Sequence, residues 1–230
     1  RCPQKIILQS ISFFDILTIA MIKQGGNTVT LNNYEKTLLR AEKEFLRFDQ
    51  QEIIAAGNLK NDECYIYITF FYNNYRIHRH TGKIEDISQK EPRHVTFEEG
   101  MSILDAICEP TPFRRLSGDM VDIAYFHRTA FNGQSLHQPY ADHFSANLEK
   151  FSTVCSALGG TPVSGCDAGF RFALFPFLPL EIKLWEGEEG ISPALRSLWD
   201  SNTRDFIRYE SMFYALGHVY TQITKKMEEL

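Results

Sequence analysis

The chain has 230 residues with 24 basic and 29 acidic side chains, long enough to bury a substantial core and, at net charge −5, poorly suited to gripping nucleic acid through a basic face. Hydrophobic residues at 43% and charged residues at 23% are ordinary for a globular protein; the excess is aromatic, with Phe 18 and Tyr 10, rings that favour packed sheets and lined pockets. The five cysteines are odd in number and lack a CxxC pair, so they read as reduced thiols in a cytoplasmic compartment rather than as a disulfide framework.

Residues 6–22 are apolar but interrupted by Gln9, Ser10, Ser12, Asp15 and Thr18. An acid near the middle argues against a spanning helix, and no small-residue cleavage site follows. The segment reads as an element packed on the domain, with residues 1–30 poorly assigned. Tyr34, Leu38, Ala41, Phe45 and Phe48 recur at helical spacing and predict an amphipathic helix over residues 33–48. Asp49 with Glu52 caps a short continuation ending at Gly57. Residues 64–71 are apolar on both faces and read as a central strand covered on two sides, with Cys64 inward beside Ile66, Ile68 and Phe70. Asn73-Asn74 then reads as a hairpin turn before residues 75–80, and Thr81-Gly82 as a second turn leading to residues 83–87. The three runs form a meander.

Thr96-Phe-Glu-Glu99 is a capping box that opens a helix running to about Glu109, stopped by Pro110 and Pro112. Ser117-Gly118 punctuates, and residues 120–126 read as strand. Pro139 suits the first turn of a helix whose stripe is Tyr140, Phe144, Leu148, Phe151 and Leu158, stopped at Gly159-Gly160. Residues 170–175 and 180–185 read as two strands joined through Pro176 and Pro179, with Leu180, Ile182 and Leu184 inward and Glu181 and Lys183 outward. Ser192-Pro193 predicts a short helix to Trp199, and Tyr209, Phe213, Leu216, Tyr220, Ile223 and Met227 mark a long terminal helix. Hairpins mixed with helices give one α+β domain: a mainly antiparallel sheet, meander plus C-terminal hairpin, packed with several amphipathic helices.

The chemistry-bearing residues are scattered. Arg76, His78 and His80 share a strand face, and two imidazoles so placed can hold a metal, but no third ligand among His94, His127, His143 or an acid is set by spacing. A solvated strand face is the plainer reading. Glu186, Glu188 and Glu189 lie in a glycine-bounded turn after Trp185, with Asp200, Asp205 and Glu210 beyond; oxygen-rich turns bind calcium, but this spacing is not that of an EF-hand. Cys166 beside Asp167 sits in a loop, with no histidine related to it in sequence; Cys108 and Cys155 fall on helix stripes as small core hydrophobes. Gly25-Gly26 and Gly159-Gly160 do not form a phosphate loop, and there is no GxSxG elbow.

Leu178-Pro179-Leu180, Leu184-Trp185-Glu186, Leu198-Trp199-Asp200-Ser201-Asn202 and Tyr209-Glu210 together resemble the signature of the family known as domain of unknown function 3786. Upstream, Phe71-Tyr72, Tyr75-Arg76-Ile77, Gly82-Lys83-Ile84 and Leu158-Gly159-Gly160 are similar too, so the likeness runs from about residue 34 to 219. It implies no established activity. The family is found largely in anaerobic bacteria and archaea, and some members carry an iron–sulfur segment like that of corrinoid iron–sulfur proteins. The scattered cysteines here depart from that segment, so an iron–sulfur role does not transfer.

Three readings follow. The first is a domain that binds a small molecule or protein partner without turnover, in a pocket near Trp185, Glu186, Glu188, Asp200, Asn202, Tyr209 and Glu210. The second is a carboxylate enzyme using Glu186, Glu188 or Asp200, which requires these groups to converge in one cleft with raised pKa values; the resemblance adds an accessory role in corrinoid or tetrapyrrole metabolism. The third is a homodimer built through an aromatic sheet face or the terminal helix. No cofactor, nucleic acid or membrane is named by the residues.

Overall fold

The computed structural model describes residues 32–108, 114–126 and 134–230, the last range without the side chains of residues 134–136. The apolar run of residues 6–22, Cys2, His127 and the Glu109 to Pro112 helix stop lie outside the described residues.

Helix α1 (Asn33–Phe45) turns Leu38, Glu42 and Phe45 inward, and α2 (Gln50–Gly57) starts where Asp49 accepts from the amides of Gln51 and Glu52. The first start was legible in the apolar spacing and the second in its cap. Strands β1 (Lys60–Asn61), β2 (Tyr65–Phe70), β3 (Asn73–His78), β4 (Ile84–Asp86) and β5 (Arg93–His94) form an antiparallel meander in that spatial order. The first hairpin turns at Phe71-Tyr72, two residues before the Asn pair, because Phe70 pairs directly with Asn73. Phe71 takes φ +58 there, with its ring buried and its amide donating to the Leu174 carbonyl at 2.6 Å. That packing holds a conformation for which its side chain has no preference. β2 buries Ile66, Ile68 and Phe70 but leaves Tyr65, Tyr67 and Thr69 half-buried, so one face of this strand, not two, is in the core. Cys64 is exposed, outside the buried row expected for it. The second turn is where expected. Gly82 has φ +73, and an added Cβ would lie 1.9 Å from the Glu42 carbonyl oxygen, so only glycine lets the β3–β4 turn reach α1.

Helix α3 (Phe97–Cys108) opens on the capping box: the Thr96 amide donates to Glu99 Oε2 at 2.8 Å, and the Glu99 amide to Thr96 Oγ1 at 3.3 Å. Strand β6 (Met120–Asp122) runs into a 3₁₀ turn at Ile123–Phe126 rather than continuing as strand. The stripe expected to make one helix makes two, α4 (Gln134–Ser145) and α5 (Leu148–Ala157), because Asn147 caps the second by accepting from the Lys150 amide at 2.9 Å. Pro139 consequently lies inside α4, not in its first turn.

The second sheet has the order β6-β10-β9-β8-β7, with β7 (Thr161–Pro162), β8 (Ala168–Phe175), β9 (Leu178–Trp185) and β10 (Ala194–Asp200), all antiparallel. Pro176-Phe177 is the β8–β9 loop, and Pro179 is tolerated beside a bulge at Ala173 and Phe175. β10 overturns the helix expected from Ser192-Pro193 to Trp199. Leu195, Leu198 and Trp199 fit either period in so short a run; the free edge of β9 decides, pairing Ala194 with Trp185 through Trp199 with Leu180. Leu195, Ser197 and Trp199 then point into the core. A 3₁₀ turn (Thr203–Asp205) leads to α6 (Tyr209–Glu229), which packs on both α3 and α5 and so serves both halves of the core. With six α-helices and two antiparallel sheets among the described residues, the fold is α+β. None of the described helices is long and apolar enough to cross a membrane.

Candidate functional site

Strand register divides the expected pocket in two. Trp185 faces Ala194 at one end of β10, whereas Asp200 ends the same strand. Six residue steps at ~3.3 Å each separate these ends by about 20 Å. Trp185 is half-buried, with the Arg196 guanidinium 5.7 Å from its ring centroid, and Glu186 and Glu188 are exposed in the turn that follows, where Glu188 bridges to Ile191.

Asp200 and Asn202 are brought together at the other end. The Asp200 carboxylate is buried and accepts from the Ser117 amide at 2.9 Å, Ser117 Oγ at 3.0 Å, the Gly118 amide at 2.8 Å and the Asn202 amide at 2.9 Å. Asn202 Nδ2 donates to the Arg115 carbonyl at 3.0 Å, and the Ser201 amide to that of Asp119 at 2.9 Å. Burial alone would raise the Asp200 pKa, but the backbone amides outweigh it and hold the carboxyl below its ordinary value. Asp200-Ser201-Asn202 is thus a clasp on residues 115–119, its acceptors spoken for. Tyr209 and Glu210 open α6 just beyond it; Tyr209 is half-buried against the Phe213 ring, and Glu210 is exposed. Glu186, Glu188 and Asp200 therefore do not share a cleft.

The face of the second sheet opposite its core is where charge collects. β10 presents Arg196, β9 Trp185, Lys183 and Glu181, and β8 Arg171, with Arg196 paired to Lys183 and Glu181 to Arg171 across the strands. Glu181 points outward as its alternation requires, yet it is only 4% exposed. Arg171 covers it, Nε at 2.8 Å and Nη2 at 2.5 Å from Oε1, and Lys183 Nζ stands 3.9 Å from Oε2. Lys183 also donates to the Ser164 carbonyl at 3.0 Å. Arg171, Glu181, Lys183 and Ser164, with Thr161, Pro162 and Val163, line an open groove of about 550 Å³. Two cations, Arg171 and Lys183, hold one buried carboxylate, and Arg196 stands across from Lys183 on the neighbouring strand, which makes this a positive patch on a chain of net charge −5. Composition could not show this, because Arg171, Lys183 and Arg196 are apart in sequence and meet only through register.

Sequence reasoning also missed a buried polar knot under the first sheet. Glu99, read as a cap residue, accepts from Tyr75 Oη at 2.8 Å and from Arg93 at 2.6 and 2.8 Å, and His218 Nδ1 lies 3.7 Å away. Burial would raise Glu99, but Arg93 and the Thr96 amide outweigh it and bring its pKa to about 2; burial lowers His218 to about 4. On the outer face of that sheet, Arg76 donates two hydrogen bonds to Glu85 and lies 4.4 Å above the Tyr65 ring, while the His78 and His80 rings pack edge to face. Among the described residues no group of three or more His, Cys, Asp and Glu is placed to hold a metal ion.

The family model described as domain of unknown function 3786 matches residues 49–222. The chain belongs to this family. No curated protein and no solved structure gives a match. The domain of unknown function 3786 match spans both sheets, the clasp and the cationic face, so all three fall within the family's own extent.

Proposed function

We propose that the chain is a binding domain without turnover, and that it takes an anionic small molecule on the open face of its second sheet. The observation that carries this reading is the groove beside Arg171 and Lys183, extended across β9 by Arg196 and the half-buried Trp185. Glu181 neutralises one of the three cations and pre-orders Arg171 and Lys183, and the remaining positive charge favours an anion. Trp185 supplies a flat apolar surface beside it, suited to a ligand with an apolar or planar part. The carboxylate-enzyme alternative draws no support from Glu186 and Glu188 in an exposed turn or from Asp200 committed to four donors. The corrinoid or tetrapyrrole role rests on the resemblance alone.

Trp185 is the half-buried one of two tryptophans, Trp199 being fully buried, so its fluorescence reports on the groove. A panel of small carboxylates, phosphates and sulfonates, each with a neutral analogue, should give a saturable change only for anionic members. Arg171→Met with Lys183→Met should abolish it without loss of fold. No binding from any anion, or binding that survives the double substitution, rejects the reading.

A further inference from the structure

The outward side of α1 carries charge of one sign. Lys36, Arg40, Lys43 and Arg47 follow one another at steps of four, three and four, so they stack in a single stripe opposite Leu38 and Phe45, which face the core. The helix ends at Phe45, but its winding continues through Arg47: the amides of Leu46 and Arg47 donate to the carbonyls of Lys43 and Glu44 at 3.3 and 2.9 Å. All four cations are exposed, with Glu35 and Glu44 on the flanks of the stripe. Arg47 pairs with Glu44 at 2.9 Å, and the side chains of Lys36, Arg40 and Lys43 take no ion pair or hydrogen bond among the described residues. Like charges one turn apart destabilise a helix, so the stripe costs the fold stability rather than adding to it. Leu39 and Leu46, two turns apart, run beside the cations and are 36% and 40% exposed, while the opposite side of α1 packs on α3. A cationic stripe edged with exposed leucines thus stands on a chain of net charge −5.

We propose that the outer face of α1 docks the chain peripherally on an anionic lipid membrane. Charge complementarity sets the class of partner: a polybasic stripe is drawn to a negative leaflet, each Lys or Arg near the surface contributing about fivefold in affinity. The leucines favour lipid over a nucleic acid, because apolar side chains beside cations enter the boundary between headgroups and acyl chains, whereas a phosphate backbone offers them nothing. The chain before α1 adds apolar sequence of the same tendency, residues 6–22, whose Asp15 argues against crossing the bilayer. This surface is separate from the groove at Arg171 and Lys183, which belongs to the second sheet.

The test mixes the full chain with phosphatidylcholine vesicles, with and without one-third phosphatidylglycerol, and reads binding by co-sedimentation at low and raised salt. The anionic vesicles should take up the chain about tenfold or more tightly than the neutral ones, and raised salt should release it. Lys36→Gln with Arg40→Gln and Lys43→Gln should weaken uptake on the order of a hundredfold, and should melt no lower than the parent, because the repulsion goes with the charge. A merely structural role would lower the melt instead. Leu39→Gln with Leu46→Gln should weaken uptake while leaving its salt dependence in place. Arg171→Met with Lys183→Met, the pair that tests the groove, should bind vesicles like the parent, so the two proposals fail independently. Should the triple variant not fold, Arg40→Gln alone, with a loss of about fivefold, decides. Equal uptake by neutral and anionic vesicles, uptake untouched by the glutamine substitutions, uptake lost with the groove pair, or binding to single-stranded DNA in place of vesicles overturns it, as does no uptake at all.

Discussion

Replacing Asp200 with alanine removes the acceptor for three backbone amides and one hydroxyl at once. Bonds to a charged acceptor contribute about 1.5–3 kcal/mol each, but Ser117 and Gly118 are exposed, so water replaces much of what is lost there. The Asn202 amide is half-buried and recovers less. The net loss expected is about 2–4 kcal/mol, non-additive across the four bonds. Asp200→Asn should cost less: an amide oxygen can keep the Oδ1 bonds to Ser117 and Asn202, while its NH₂ faces the Gly118 amide donor to donor. Urea denaturation gives the stabilities, and hydrogen exchange at the Ser117 and Gly118 amides reports the clasp itself, which should open at both amides in Asp200→Ala and at the Gly118 amide in Asp200→Asn. A melting curve and exchange rates unchanged in Asp200→Ala would refute the clasp and return Asp200 to the list of free carboxylates.

Two other outcomes follow from burial and backbone. Gly217 lies inside α6, and a Cβ added there would meet nothing within 4 Å, so Gly217→Ala should stabilise the chain by about 0.5–1 kcal/mol; a lower denaturation midpoint contradicts this. Burial holds His137 and His218 at pKa values of about 4, against the ordinary 6.5 of an exposed histidine. Both pKa values are depressed, so their stabilising effect is whole above about pH 6.5 and is lost as the pH falls toward 4, by at most on the order of 3 kcal/mol apiece. Glu99, held at about 2 against 4.5, adds a further loss below pH 4.5. Urea midpoints that stay level from pH 7 to pH 5 would show that these histidines are not buried neutral.

Much of the fold was legible because it is local. Asp49 and Thr96-Glu99 announce helix starts through bonds to their own next turn, and Gly82 announces a turn because its φ is positive. The α6 stripe runs long enough for only one period to fit. What failed was short. Residues 194–200 fit helix or strand equally and became strand because β9 offered an edge; Asn147 broke one expected helix into two with a single cap bond.

The candidate sites divide the same way. Sequence alone marked Trp185, Asp200 and Asn202, since their neighbours along the chain make a recognisable signature, and it determined an α+β chain of this family. It could not say that Trp185 stands beside one end of β10 and Asp200 at the other, or that Arg171, Lys183 and Arg196 share one face of the sheet. Nor could it say that Asp200 holds the segment at Ser117 and Gly118. Those facts belong to register and to bonds across more than 80 residues of chain, and only the tertiary structure decides them, because pairing energy depends on which edge is free once the core has closed.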